Sequence, residues 1–223
     1  MSDDTLPGLP ATSSAHAAQT GSLDEACARR AAQWMAAAID AHSFDAHLFA
    51  KLIAAREVRG EWALLGLSTA QWDGLVSRHF GGATALQGLP GISNARKSAD
   101  TTVAIATLSP HEHVEFVAAL RGLLLQSANP AVSLDDAQCL ASIIAHACLR
   151  PDHLWRDLGL AGRDEVSAML ERYVPSLVVL NVENLRWKKF LARQLALSLG
   201  KEPGPAPGCP GCEDFGYCFP RAS

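Results

Sequence analysis

SLDDAQCLASIIAHACL, residues 133–149, carries the start, the apolar body and the end of one helix. Ser133 can accept a hydrogen bond from a backbone amide of the first turn, and Asp136 follows three residues later. The apolar run stops before Arg150-Pro151, because a proline disfavours helical backbone in the residue that precedes it. The stretch therefore predicts a helix that ends at a turn over residues 150–151.

Similar patterns occur on both sides of this stretch. Ala-rich or amphipathic segments predict helices over residues 24–41, 45–58, 69–80, 110–126, 164–173 and 182–199, with a short helical turn within 153–160. Ser68, Ser109 and Asn181 are the predicted caps of three of them, and Gly200 suits the left-handed position after the last. Runs that alternate polar and apolar residues are absent, so the predicted fold class is all-α.

Composition divides the chain into three segments. Residues 1–22 are poor in bulky apolar groups and predict a disordered leader. Residues 23–200 predict a single helical-bundle-like domain, for which 48% apolar content is ample, and residues 81–102 predict a long loop inside it. Residues 201–223 form a tail rich in proline, glycine and cysteine, which predicts irregular structure.

Charge and hydropathy limit the class of partner. The net charge of −4 gives no general case for binding nucleic acid or an anionic membrane. No stretch approaches the roughly 18 consecutive apolar residues of a membrane span, and the first residues are acidic rather than a secretion signal. Six unevenly spaced cysteines do not resemble a secreted disulfide scaffold. We therefore expect a cytoplasmic protein with free or metal-bound thiols.

The tail holds Cys209, Cys212 and Cys218 within ten residues. Thiolates at this spacing can converge on one metal ion or on one face of a cluster, and they favour zinc or iron–sulfur centres. A structural zinc site normally has four protein ligands, whereas the tail offers three cysteines and no histidine. Three thiolates suit a cuboidal cluster with three iron corners, a 3Fe-4S type, whose fourth corner can take another metal.

Other interpretations of the tail remain open. A zinc site completed by a distant residue would make the protein a zinc-stabilised helical interaction module. Cys209 and Cys212 could instead form a thiol–disulfide redox pair, although the usual βαβ context is missing. The tail could also be a disordered end with incidental thiols. Without a cofactor we expect the tail to be loosely placed, since residues 201–211 are flexible by composition.

Residues of the helical body are candidates for a further ligand. Cys148 and His153 flank the break at residues 150–151, and a turn there could aim one of them at the tail. Cys148 is the better candidate, but a cysteine in an apolar helix is more often a small buried side chain. A histidine in the position of His153 more often orients a loop or caps a helix than binds a metal. In the tail, Gly211 and Gly216 can adopt backbone angles that turn amides toward a sulfur-rich anion.

Several segments together resemble the NifQ family, nitrogen-fixation proteins that handle molybdenum. The resemblance covers about residues 110–220 and rests on His153-Leu-Trp-Arg-Asp-Leu-Gly159, Arg186-Trp-Lys-Lys-Phe190, Arg193-Gln-Leu195 and the cysteines ending in Cys218-Phe219. The family carries the motif C-x4-C-x2-C-x5-C, whose last three cysteines match those of the tail. Gly204 stands where the first would be.

The resemblance implies a carrier rather than an enzyme. Such a carrier binds a molybdenum–iron–sulfur cluster and donates molybdenum for the nitrogenase iron–molybdenum cofactor, with the NifEN scaffold and NifH as recipients. Molybdenum would arrive as molybdate or another species. With Gly204 in place of a cysteine, either three thiolates suffice or a residue of the body replaces the fourth. We favour the first, because a loosely held corner releases its metal more readily.

Basic residues precede the tail on the last predicted helix. Arg186, Lys189 and Arg193 follow helical spacing on one side, and Lys188 is adjacent. They could attract molybdate or an acidic partner, or offset the negative charge of a cluster. An ordinary solvated helix face is an equal alternative.

Overall fold

The computed structural model describes residues 12–81 and 110–220, and side chains from residue 21 onward. Its α-helices are α1 (Thr12–Ala36), α2 (Phe44–Val58), α3 (Thr69–His79), α4 (His111–Gln126), α5 (Leu134–Ala147), α6 (Leu154–Leu158), α7 (Arg163–Tyr173), α8 (Pro175–Val178), α9 (Trp187–Ser198) and α10 (Phe215–Cys218). Short 3-10 helices lie at Trp62–Leu65 and Cys209–Gly211. Within the described ranges there is no strand, only an isolated bridge between Ala38 and Phe80. The predicted all-α fold is confirmed.

The centre of the core is α5, the helix predicted from residues 133–149. Ser133 accepts the amide of Asp136 at 3.4 Å, which confirms the predicted cap. The helix contacts α3, α4, α6 and the first 3-10 helix, and most of its side chains are buried. Asp136 is itself buried and accepts a hydrogen bond from Arg78 of α3 at 2.8 Å. Packing on several sides therefore holds α5 in place, and α5 positions the turn at residues 150–151 that follows it.

Ser133→Ala is expected to lower the free energy of unfolding by about 1 kcal/mol, the usual cost of losing an N-cap oxygen. The amide of Asp136 would lose its partner, while the apolar body of α5 would stay packed. Unfolding in urea, followed by circular dichroism, measures the difference. Ser133→Thr keeps a hydroxyl acceptor and is the matched control. Equal losses in the two variants would show that the cap is not the cause.

A cluster of aromatic rings anchors the N-terminal helices. Trp34 of α1 packs edge-on against Trp72 and Phe80, with ring centroids 6.0 and 5.1 Å apart. Trp62 packs edge-on against Trp72 at 5.6 Å. The Trp34 indole also donates to Glu57 of α2 at 3.0 Å, so its polar nitrogen is satisfied inside the core. These contacts fix α1 and α2 against α3.

The first helix is longer than predicted. It begins at Thr12, whereas the sequence predicted a helix only from residue 24. The predicted leader of residues 1–22 therefore overlaps the first eleven residues of α1. Residues 1–11 of that leader lie outside the described residues. Although α1 has 25 residues, no helix in the described ranges combines the length and apolar content that crossing a bilayer requires.

Predicted features in the middle of the chain have mixed outcomes. The loop over residues 81–102, beyond its first residue, and the cap Ser109 lie outside the described ranges. The helix after them, α4, begins at His111 with Pro110 in the N-cap position, one residue later than predicted. For α3 the prediction is confirmed, because Ser68 forms a complete capping box with Gln71.

The start of α9 also differs from the prediction. The predicted cap is Asn181, but the helix begins at Trp187. Asn181 instead closes a turn, and its side-chain oxygen accepts the Leu185 amide at 2.8 Å. Asparagine makes such local bonds readily, and they compete with helix formation. The other end agrees with the sequence, since Gly200 lies past α9 with a φ of 65°, the predicted left-handed backbone.

Candidate metal-cluster site

The cysteine tail, residues 201–220, folds back onto the turn at residues 150–151. The amide of Gly208 donates to the carbonyl of Cys148 at 3.0 Å. Ala206 has no exposed surface and Cys209 is 8% exposed, so this part of the tail belongs to the core. The expectation of a loosely placed tail is therefore wrong, since a backbone hydrogen bond and apolar burial both hold it to the body.

Two glycines allow the tail to approach the turn closely. A Cβ atom on Gly208 would lie 2.6 Å from the backbone nitrogen of Arg150 and closer still to its carbonyl. A Cβ atom on Gly211 would lie 2.5 Å from the Cβ of Pro151. Neither Gly211 nor Gly216 has a positive φ, and a role for their amides toward a sulfur-rich anion stays a prediction. The tail glycines at 208 and 211 instead provide space for contact between two backbones.

This docking brings the three predicted ligands to one cavity. Cys209, Cys212 and Cys218 all line a space of about 60 Å³ between the tail, α6, α7 and α9. Trp155 and Trp187 line it from the body. No group of three or more His, Cys, Asp or Glu side chains in the described part of the chain is arranged to hold a single metal ion. The three thiols thus line a shared cavity and are not arranged around the position of a single metal ion.

The thiols differ in how readily they lose a proton. Burial raises the pKa of Cys209, although a hydrogen bond with the Ala206 backbone and the charge of Lys188 act in the opposite direction. Burial raises the pKa of Cys148 to about 12, so that thiol is protonated at neutral pH. Because a metal binds the thiolate, it must displace the proton from Cys209 on binding.

The two body residues proposed as further ligands lie at different distances from the cavity. Cys148 contacts the tail through its carbonyl, but its side chain is fully buried and does not line the cavity. His153 does line it, and its ring stacks on Trp155 with centroids 6.3 Å apart. The His153 Nε2 lies 3.4 Å from a carboxylate oxygen of both Glu213 and Asp214. His153 is therefore the better placed of the two, and ligation by either remains a prediction.

A buried ion pair holds the turn to which the tail docks. The Lys188 ammonium donates to Asp157 Oδ2 at 2.5 Å and to the Arg150 carbonyl at 2.9 Å. Both side chains of the pair are less than a tenth exposed. Lys188 therefore does not belong to a solvated basic face, as one interpretation of the sequence had it. It joins α9 to the turn at residues 150–151, and removing it would leave the buried Asp157 carboxylate with only the longer contact to Arg150 Nε, at 3.4 Å.

The remaining basic residues of α9 have separate roles. Arg186 lies at the cavity and pairs with Asp214 of the tail at 2.5 Å. Lys189 also lines the cavity and donates to a backbone carbonyl of the tail. Arg193 pairs with Glu183 at 2.5 Å and does not line the cavity. Two members of the predicted basic stripe therefore belong to the site and one does not.

Sequence reasoning missed Arg163, a fourth cation at the cavity. Arg163 is the first residue of α7, and its guanidinium lies 5.4 Å from the ring centre of Trp187. No motif marks it, and it lies far from the cysteines in sequence. Only the packing of α7 beside α9 brings it to the thiols, so no local signal could have identified it.

Comparisons with known proteins find relatives that carry the same name, NifQ. A NifQ homolog from Sinorhizobium fredii (strain NBRC 101917 / NGR234) is 46% identical over 103 residues, 46% of this chain and 44% of that protein. NifQ from Azotobacter vinelandii is 45% identical over 80 residues, 36% of this chain and 41% of that protein. The chain thus spans less than half the length of these two relatives. NifQ from Klebsiella pneumoniae is 34% identical over 156 residues, 70% of this chain and 85% of that protein. No solved structure matches.

A family model covers most of the chain. It is the model for NifQ, and it matches residues 46–220. The matched region contains the docking turn, α9 and all three tail cysteines. It also contains Gly204, where an added Cβ would meet nothing within 4 Å. Since the match takes in well over half of the sequence, the chain belongs to the NifQ family.

Proposed function

We propose that this protein carries a molybdenum–iron–sulfur cluster on Cys209, Cys212 and Cys218 and donates molybdenum for assembly of the nitrogenase iron–molybdenum cofactor. Family membership supports a role in nitrogen fixation that involves molybdenum. The cluster, its transfer and the non-enzymatic character of the protein are the proposal. The recipients suggested by resemblance to the family are the NifEN scaffold and NifH.

The observation that carries the proposal is the meeting of three thiols at one cavity. Thiolates are soft ligands that suit iron, and three of them can occupy the three iron corners of a 3Fe-4S type core. Four cationic side chains line the same cavity, Arg163, Arg186, Lys188 and Lys189, against two carboxylates, Asp152 and Asp214. An iron–sulfur core held by thiolates is negatively charged, so this lining would stabilise it.

The cavity must widen to hold such a cluster. Its present volume of about 60 Å³ is room for a few water molecules. The segment that can move is α10, a single helical turn that carries Cys218 and has no buried residue. Cys209, by contrast, is anchored beside the docked Gly208. We therefore expect Cys209 to hold its place while Cys218 shifts as the cluster binds.

A weakly bound metal at the fourth corner of the cluster suits a protein that donates molybdenum. Gly204 replaces the first cysteine of the family motif, so the tail itself supplies only three thiolates. We propose that the fourth corner is the position of molybdenum, with His153 at the cavity as the nearest candidate for a weak ligand. A metal with fewer protein ligands dissociates more readily, which favours transfer.

Elemental analysis of one anaerobic preparation tests the proposal. The full chain is reconstituted with ferric iron, sulfide and molybdate, desalted, and assayed for iron, sulfide, molybdenum and zinc. We expect about three irons per chain together with sulfide and molybdenum, as a three-thiolate cluster requires. One zinc per chain with no sulfide would overturn the proposal and favour the zinc-stabilised interaction module.

A further inference from the structure

Arg163 has hydrogen-bond donors to spare at the cysteine cavity. Its Nη2 donates to Asn184 Oδ1 at 2.7 Å and to the carbonyl of Leu185 at 2.8 Å. Within the described residues its Nε and Nη1 make no hydrogen bond to protein. The guanidinium is also held over the ring of Trp187. The protein therefore occupies Nη2, while the N–H groups of Nε and Nη1 remain to donate to a ligand.

Two of the cations at the cavity have no carboxylate partner among the described residues. Arg186 pairs with Asp214 and Lys188 with Asp157, but neither Arg163 nor Lys189 forms an ion pair in these ranges. The Lys189 ammonium donates to the carbonyl of Cys218 and lies 4.9 Å from the ring centre of Phe219. Asp152 also lines the cavity, where its charge is offset by an ion pair with Arg156. Two unpaired cations beside aromatic rings therefore remain, a setting that strengthens attraction for an anion.

The guanidiniums at the cavity also repel each other. Burial lowers the pKa of Arg163, and the positive charge of Arg186 lowers it further, while the charge of Asp164 acts in the opposite direction. A protein gains nothing in stability from holding like charges together around a partly dry space. A bound anion would relieve that repulsion and use the free donors of Arg163.

We propose that Arg163 and Lys189 form a binding site for a tetrahedral oxyanion dianion, and that molybdate is its ligand. This inference deepens the proposed function, on which its biological meaning rests, because it names the form in which molybdenum reaches the thiols. The guanidinium can donate from its Nε and Nη1 groups to oxygens of the anion, while the ammonium acts as a point charge. Two cations balance the charge of one dianion.

A competing explanation is that the two cations only balance the charge of the cluster. Titration of the protein without its cluster separates the two ideas. The full chain is stripped of iron, kept reduced with a phosphine under anaerobic conditions, and titrated by calorimetry with molybdate, tungstate and sulfate. We expect one saturable molybdate site, with an affinity about tenfold or more lower in Arg163→Gln, the usual effect of losing a charged hydrogen-bond donor.

Arg193→Gln is the matched control, because Arg193 lies on α9 but pairs with Glu183 away from the cavity. Its molybdate affinity should equal that of the unmodified chain. Thermal unfolding should be unchanged in Arg163→Gln, which separates a binding role from a structural one. A variant whose melting temperature fell together with its molybdate affinity would overturn a direct role of Arg163 in binding.

The outcomes of the titration are distinct from those of the cluster assay. Molybdate binding that depends on Arg163 in a chain that never holds iron would support the oxyanion site and contradict the cluster proposal. Absence of saturable binding, or equal affinity in Arg163→Gln and the unmodified chain, would overturn the oxyanion site alone. Sulfate binding as tight as molybdate would support an oxyanion site but overturn its assignment to molybdate.

Discussion

Cys212→Ala is expected to abolish retention of iron by the reconstituted protein. Cys212 is the middle one in sequence of the three proposed ligands, and it lines the cavity together with Cys209 and Cys218. Two remaining thiolates cannot hold three iron corners, and the described body offers no thiol at the cavity to replace the lost one. The expected result is loss of iron, sulfide and molybdenum together, measured after desalting on the same anaerobic preparation.

Cys27→Ala is the matched control for this loss. Cys27 lies on α1 and does not line the cysteine cavity. Its replacement should leave the iron and sulfide content equal to that of the unmodified chain. Full iron content in Cys212→Ala would rule out a cluster on the three tail thiols, and equal loss in both variants would point to general damage instead of a missing ligand.

The helices could be predicted from the sequence wherever the signal was local. Ser68 and Ser133 cap their helices through bonds to residues three positions later, so the sequence alone reveals them. The start of α9 could not be predicted in this way. It depends on Asn181 turning back to Leu185 and on Arg163 of α7 bonding to the same loop. A contact between distant helices fixes that boundary, and no window of sequence contains both partners.

In the candidate site too, features with a local sequence signal could be predicted, and features that depend on contacts between distant helices could not. The cysteine spacing and the family motif identified the three thiols, because chemistry and short spacing were sufficient. The cavity, the buried position of Lys188 and the presence of Arg163 could not be predicted, because each depends on how α7, α9 and the turn at residues 150–151 pack together. The docking of the tail was missed for a related reason. Glycine in a sequence signals flexibility, but at position 208 it signals close approach.

The close approach of Gly208 to the turn at residues 150–151 leads to a second prediction. Gly208→Ala is expected to displace the tail from the turn and to lower cluster retention sharply. The native φ of Gly208 is −81°, which alanine adopts easily, so restricting the unfolded chain would by itself favour the variant by about 0.4–1 kcal/mol. The new Cβ, however, would overlap the backbone of Arg150, and forced overpacking of this kind costs about 1–3 kcal/mol. The cost of the overlap exceeds this gain, because the new Cβ meets backbone atoms of Arg150, which cannot rotate away as a side chain could.

Hydrogen exchange of the tail amides and iron content after reconstitution measure the result. In Gly208→Ala the amide of residue 208 should lose its protection, since its hydrogen bond to the Cys148 carbonyl would break, and Cys209 would leave the cavity with it. Gly216→Ala is the matched control, because a Cβ there meets nothing within 4 Å and the φ of Gly216 is not positive. That control should keep both protection and iron. If Gly208→Ala kept both as well, contact between the tail and the turn at residues 150–151 would not be what assembles the site.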